Sequence, residues 1–306
     1  MGYRPNYIAK GLRARKSNII GIIADDITMG ASNEIISSIM EVCEREGYHA
    51  MIQNLRFYSR WGSSWKDENG EYAAAFNEAF SELLAIKVDG IIMVAGHARQ
   101  INVFPKNLSA PVVMAYGYTE TEEIPCVVLD DETAGYEMTN YLISMGHKKI
   151  GVIGGEANNM HVQKRVLGYQ RALYENGVPY NPDWIRYGKF SGWFGYEAAG
   201  KLIEDGVTAS FCLTDFIAGG VYRYLAENEM TAGKDISVAG FNNEGEWVEL
   251  SIPGLTTMKL PLTEIGKETI RLLLEKIEGE EPTRDKKVEV PIHCDFVFRD
   301  SVKEVG

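Results

Sequence analysis

The chain has few of the residues that build metal centres and none of the local patterns that announce catalysis. Its 306 residues include five histidines (His49, His97, His147, His161 and His293), none at metal-ligand spacing. Four cysteines, Cys43, Cys126, Cys212 and Cys294, stand far apart in apolar runs with no CxxC. They read as buried free thiols in a reducing compartment, not as disulfides or zinc ligands. There is no P-loop, no GxGxxG and no GxSxG elbow. We therefore expect no enzyme, no metal and no cofactor. No run of roughly eighteen apolar residues occurs, which excludes a membrane-spanning helix as an expectation. The N-terminus has no apolar stretch of the export type, so the expected compartment is the cytoplasm.

What is present is acid, in one distribution. Lys and Arg number 31 against 43 Asp and Glu, for a net charge of -12. Such a body repels nucleic acid as a whole. The first sixteen residues invert the balance, with Arg4, Lys10, Arg13, Arg15, Lys16 and no acid. Charge alone leaves two readings, a local contact with phosphate or a basic tail without one. Pro5 suits the first turn of a short helix there.

The rest of the chain is organised around Asn18 to Asp26, a β-branched apolar run ending in two carboxylates. It reads as a strand buried on both faces of a parallel sheet. Ligands of open α/β sheets collect beyond such carboxyl ends. Ser32 or Asn33 is placed to cap the helix that follows, where Ile35, Ile36, Ile39, Met40 and Cys43 recur at helical spacing. Residues 57 to 70 read as a loop rich in aromatics. Strand and helix then alternate to about Leu129, and the alternation restarts. Two βα series predict two similar lobes. The Asp25/Asp26 and Asp130/Asp131 pairs fall at strand-to-helix transitions, where a carboxylate is commonly a helix N-terminus partner.

Several stretches together carry a resemblance. They are Gly2-Tyr-Arg-Pro-Asn-Tyr-Ile-Ala-Lys-Gly-Leu12, the strand ending in Asp26-Ile27, Val88-Asp-Gly-Ile-Ile92, Gly146-His-Lys-Lys-Ile-Gly-Val-Ile153, Arg165-Val-Leu-Gly-Tyr169, Asp235-Ile-Ser-Val-Ala-Gly-Phe241 and Leu255-Thr-Thr257. In this order and spacing the chain resembles the lactose/galactose-repressor (LacI/GalR) family of bacterial transcription regulators. The resemblance implies an α/β fold of two Rossmann-like lobes, of the periplasmic-binding-protein type, with three interlobe crossovers. The implied boundaries are a hinge remnant at 1–16, an N-terminal lobe of 17–129 plus 258–286, and a C-terminal lobe of 130–257 plus 287–306. It implies a homodimer whose lobes close over a small effector, most often a mono- or oligosaccharide. The helix from Ile35 to Cys43 is expected to form part of the dimer surface, the alternative for its apolar face being ordinary cover of the sheet. The chain begins inside the family's hinge, so we read it as an effector-binding core without the helix-turn-helix headpiece; operator DNA would be a partner only of a longer form. Asn6, Leu12 and Arg13 fall in that hinge, Leu12 matching the leucine that wedges into the minor groove.

Residue by residue, Arg165 matches the arginine that grips sugar hydroxyls, a role suited to its fixed fork of donors. Asn242 stands where an effector-binding aspartate is common, and Phe190 where an aromatic packs on the sugar. Asp26 ends the first strand. Asp215 carries over from the family's Asn-Asp pair, in which Thr214 replaces the asparagine. The departures are as informative. Met29-Gly30-Ala31-Ser32 replaces the aromatic stretch on which purine-binding members stack their ligand, which argues against a purine. Trp61 and Trp65 in the aromatic loop, with Trp193, are candidate stacking platforms. Tyr116 stands where some members use an aspartate. The expected function is effector sensing by a bacterial transcription regulator. The alternative is a stand-alone sugar-binding protein of a transport system.

Overall fold

The structure, a computed structural model, describes residues 16–62, 70–105, 107–279 and 289–305. Asn6, Leu12 and Arg13, with the hinge role expected of them, and Trp65, with its expected stacking role, lie outside the described residues. The chain divides into two compact units, Met1–Val128 with Leu262–Ile292 and Leu129–Pro261 with His293–Gly306. It passes between them three times. The second crossing lies after Pro261, not at 258, because β10 (Thr256–Lys259) pairs with β9 (Ser237–Asn242) of the second sheet. The third lies after Ile292, not at 286, because β11 (Glu289–Ile292) is hydrogen-bonded into the first sheet.

The first unit is built on a sheet in the order β11-β5-β4-β3-β1-β2. Its strands are β1 (Ile19–Ala24), β2 (His49–Asn54), β3 (Gly90–Val94), β4 (Val112–Ala115) and β5 (Cys126–Leu129), with β11 at one edge. β1 through β5 pair in parallel. β1 and β3 are sealed on both faces, as their Ile/Val content requires. Helices α1 (Gly30–Arg45), α2 (Phe57–Trp61), α3 (Glu71–Ala85) and α9 (Leu262–Glu278) complete the unit. The start of α1 corrects the expected cap. Met29 is the N-cap and makes no side-chain bond, and Ser32 and Asn33 lie inside the first turn. The apolar face of α1 is also spent at home. Ile35, Ile36, Ile39, Val42 and Cys43 are buried within the unit, which leaves Met40 the large exposed side chain of the expected dimer surface. The aromatic loop is in part a helix. Arg56 turns the chain at φ 53°, and α2 follows with Phe57 buried.

The second unit repeats the plan in the order β12-β10-β9-β8-β6-β7. Here β6 (Ile150–Ile153), β7 (Ile185–Arg186), β8 (Ala209–Cys212), β9 and β10 run parallel, and β12 (Asp295–Val297) pairs antiparallel with β10. The helices are α4 (Asp131–Ser144), α5 (Met160–Glu175), α6 (Gly192–Glu204), α7 (Asp215–Glu227) and the short α8 (Trp247–Leu250). Four of them open on side-chain caps, with Asp130, Asn159, Ser191 and Thr214 accepting from amides of the first turn. In both sheets the first strand of the unit lies between its second and third, so the winding direction reverses beside it. That reversal is where a doubly wound sheet leaves a crevice for a ligand. Among the described residues no helix is long and apolar enough to cross a membrane, and all four cysteines are free and buried.

Candidate ligand-binding site

Each unit carries a cluster of buried polar groups at its own switch point. In the first unit the cluster starts from Asp25, the residue after β1, whose amide donates to Val94 O at 3.0 Å. Its carboxylate accepts from Tyr72 Oη at 2.8 Å, Arg99 Nη2 at 2.9 Å and the Gly96 amide at 3.0 Å. The Arg99 guanidinium lies over the rings of Phe57 and Tyr72, 4.9 and 4.4 Å from their centroids. Burial would lower the Arg99 pKa, and the Asp25 charge more than offsets this and raises it. Tyr58 hydrogen-bonds His97 Nδ1. Its ring covers Gly96, where a Cβ would come within 2.9 Å of it. Burial, with Asp25 next, pushes the Tyr58 hydroxyl far up.

Asp26 is the open member of this cluster. It is buried, and Oδ1 accepts from Thr28 N at 3.1 Å and Thr28 Oγ1 at 2.8 Å, while Oδ2 has no hydrogen-bond partner. Burial alone would raise its pKa. The Thr28 bonds and the nearby Ser59 and Tyr58 amides outweigh that and hold it below the usual value. The charge is therefore kept, and Oδ2 faces these amides without a closed hydrogen bond. Tyr116, buried at φ 63° after β4, is within electrostatic reach of Tyr58. Trp61 packs edge-on against Phe57 and Tyr72, the two rings under Arg99, with centroids 5.5 and 6.1 Å apart. Its Nε1 donates to Glu71 Oε2 at 2.7 Å, and it lines an open depression of about 500 Å³ with Arg60, Ala74 and Glu78.

In the second unit the cluster is centred on Arg165. Its Nε donates to Asp131 Oδ1 at 2.8 Å and its Nη1 to Leu213 O at 2.6 Å, and the guanidinium carbon lies 3.5 Å from the centroid of Phe241. Nη2 takes part in neither bond. Asp131 also meets His161 Nδ1 at 2.7 Å through Oδ2. Burial would raise the Asp131 pKa, and His161 and Arg165 together bring it below the usual value. Two glycines make the meeting possible. A Cβ on Gly135 of α4 would fall 2.4 Å from Arg165 O, and one on Gly168 of α5 would fall 2.1 Å from Glu132 O. Without side chains there, α4 and α5 touch through their backbones and Asp131 reaches Arg165.

The other residues expected in the second unit fall into three places. Phe190 is partly exposed and its ring lies on Gly155, just past β6; a Cβ there would clash at 2.1 Å. Asn242 ends β9 at φ 114°. Asp215 opens α7 but is 1% exposed, with Thr257 Oγ1 on Oδ1 at 2.8 Å and the Glu244 amide on Oδ2 at 2.7 Å. Burial with no cation beside it raises its pKa to about 7. Asp215 is thus placed under the loop that carries Asn242, with both oxygens occupied. Trp193 lies apart from the Arg165 group: it is exposed, with Arg223 4.6 Å over its ring and Tyr196 at its edge. The reading of Asp130 and Asp131 as helix partners fits Asp130 alone. Sequence reasoning passed over Asp131, His161, Tyr72, His97 and Arg99. A signal did exist for one pair, since His161 and Arg165 are four apart on one helix and share a face.

Two doubly wound units with polar clusters at their switch points define a periplasmic-binding-protein-like fold. The family model described as a periplasmic binding protein-like domain matches residues 139–302. The chain is 30% identical over 300 residues to catabolite control protein A of Priestia megaterium, covering 97% of this chain and 86% of that protein. It is 29% identical to the HTH-type transcriptional repressor PurR of Vibrio vulnificus, covering 100% and 87%. Among solved structures, a LacI-family transcriptional regulator from Enterococcus faecium with bound ribose aligns with TM-score 0.71 at 25% identity, over 94% of this chain and 100% of that one. The lac repressor dimer bound to operator and the anti-inducer ONPF aligns with TM-score 0.79 at 21% identity, over 99% and 100%. The chain belongs to the LacI/GalR family of transcription regulators.

Proposed function

We propose that the chain is the effector-sensing and dimerising core of a cytoplasmic bacterial regulator, and that its effector is an uncharged sugar. Ligand would close the two lobes and so change operator binding. The effect on DNA can be no larger than the ligand's differential affinity for the two lobe arrangements. The carrying observation is Arg165, a guanidinium pinned by Asp131, Leu213 O and the Phe241 ring. A donor fork held this way is preorganised for vicinal hydroxyls. Phe190 and Asn242 would complete the contacts of the second unit, with Asp26 and Tyr116 contributing from the first. The charge balance supports a neutral ligand. Asp25 is offset by Arg99 and Asp131 by Arg165, which leaves the Asp26 carboxylate in need of a hydroxyl donor and unfavourable to an anion.

The test is a thermal-shift screen of mono- and oligosaccharides, phosphosugars and purine bases against the parent and Arg165→Lys. Lysine keeps the charge and loses the fork. A neutral sugar that raises the melting temperature of the parent and much less that of Arg165→Lys is the expected result. Stabilisation by phosphosugars or purines alone would overturn the assignment. Sedimentation velocity checks the dimer.

A further inference from the structure

We propose that Asp215 and Glu244 are positioning residues that fix the Asn242 side chain with its carbonyl oxygen presented as a hydrogen-bond acceptor. That this acceptor meets an effector hydroxyl rests on the sugar reading above; the positioning itself does not. The loop after β9 is held in an uncommon form. Asn242 has φ 114°, outside the left-handed well that asparagine tolerates, while Asn243 at 55° and Gly245 at 79° lie in the left-handed region that asparagine and glycine enter readily. The support comes from beneath. Asp215 Oδ2 takes the Glu244 amide at 2.7 Å, and Arg299 Nη2 donates to Asn243 Oδ1 at 2.9 Å. Asp215 fits there because Gly240 has no side chain; a Cβ would come 2.3 Å from Oδ1.

Glu244, once set by its amide, returns its carboxylate to the asparagine: Oε2 accepts from Asn242 Nδ2 at 3.4 Å. An amide has one donor end and one acceptor end. With the donor end turned to Glu244, the acceptor end is left for another group. Asn242 then offers what an aspartate offers at this position, an acceptor, without the charge. The relay is also tunable. The groups that face Asp215 are the Glu244 carboxylate, the Thr257 hydroxyl of β10, the Phe241 backbone of β9 and the Cys212 thiol of β8. None is a cation, and burial with the Glu244 charge brings the carboxyl to about 7. The bond to the Glu244 amide therefore gains charge assistance as Asp215 ionises.

The experiment needs no effector. The full chain is labelled with ¹⁵N-glutamate or ¹⁵N-asparagine, and the Glu244 amide and the Asn242 side-chain NH₂ are followed from about pH 5.5 to 8.5. We expect the Glu244 amide proton to move downfield with a midpoint near 7 in the parent and to stay flat in Asp215→Asn, whose far-ultraviolet circular dichroism should be unchanged. The Asn242 NH₂ pair should exchange with water several-fold faster in Glu244→Ala than in the parent. Glu244→Gln, which keeps an acceptor, should restore it. A Glu244 amide whose chemical shift and water exchange are the same in the parent and in Asp215→Asn overturns the role of Asp215. An Asn242 NH₂ that is indifferent to Glu244→Ala overturns the role of Glu244. Binding of D-ribose and lactose by the same variants tests the sugar reading separately, and its failure leaves the outcome of the two spectral readouts intact.

Discussion

Each unit places one buried guanidinium on an aromatic face at its switch point, and the two are paired differently. In the first, Asp25 is saturated by Tyr72, Arg99 and the Gly96 amide, beside an α2 whose Tyr58 ring lies on Gly96. In the second, Asp131 divides its oxygens between Arg165 and His161; part of the guanidinium stays outside the pair in both units, Arg99 Nε in the first and Arg165 Nη2 in the second. The same device reads as a structural anchor in the first unit, and the function proposed above would make it a ligand-facing group in the second. What distinguishes them is how many partners converge on the carboxylate, not the ion pair itself. Breaking such a pair exposes the difference, because the cost comes from the charge left behind.

The largest effect should follow Asp25→Ala. It strands the Arg99 guanidinium, the Tyr72 hydroxyl and the Gly96 amide together, and should cost about 3–5 kcal/mol in urea unfolding. Arg165→Ala leaves Asp131 with His161 still in place, and should cost about 2–3 kcal/mol. Equal losses would remove the distinction between anchor and reader. Arg165→Ala should also abolish the sugar-induced thermal shift.

Next in size is Gly168→Ala. The added methyl meets Glu132 O at 2.1 Å and has no flexible side chain to displace, so α4 and α5 must separate. We expect about 1–3 kcal/mol of destabilisation. If the Asp131–Arg165 pair is what the close crossing serves, sugar affinity should fall as well.

The fold is readable because buried parallel strands are continuous apolar runs. Ile20, Ile22 and Ile23 declare β1, and Ile91, Ile92 and Val94 declare β3. The restart of the βα alternation near Leu129 marks the two units. The crossings at Pro261 and Ile292 fall several residues beyond the expected positions because hydrogen bonding, not apolar pattern, decides whether β10 and β11 belong to one sheet or the other. Arg165 is legible through its motif. Arg99 is not: it is five residues past β3, and only the folded chain brings it to Asp25. Asp215 looks like a site residue because of its motif, while its burial under the Asn242 loop depends on Gly240 and Thr257, which are distant in sequence. The helix α2 is hidden by its length, since five residues show no periodicity.

A further effect sets two carboxylates of the second unit apart by pH. The raised Asp215 pKa means that the folded state binds this proton more tightly than the unfolded chain does. Its stabilising contribution is complete below the unfolded value of about 4 and is lost as pH rises through about 7. In that window the slope can reach about 1.4 kcal/mol per pH unit. Asp215→Asn, whose amide can still accept from Glu244 and donate to Thr257, should flatten it. Asp131 acts in the opposite sense. Its lowered pKa gives stability that is present above about 4 and lost as pH falls through the folded value. Urea midpoints of the parent and the two variants Asp215→Asn and Arg165→Lys, measured across pH, separate the two contributions.

The smallest predicted effect tests the anchor from its edge. Tyr72→Phe removes one of the three donors to Asp25 and leaves the ring under Arg99. Arg99 and the Gly96 amide remain, so no charge is stranded, and the loss should be about 1 kcal/mol, the ordinary worth of a buried hydrogen bond. It should also be constant across neutral pH. Burial, followed by the Asp25 charge, holds the Tyr72 hydroxyl well above the usual tyrosine value, so its proton stays on throughout that range. A loss near that of Asp25→Ala would mean that the hydroxyl, and not Arg99, satisfies the carboxylate. The cation–aromatic stack would then be the effect of the pair's placement and not its support.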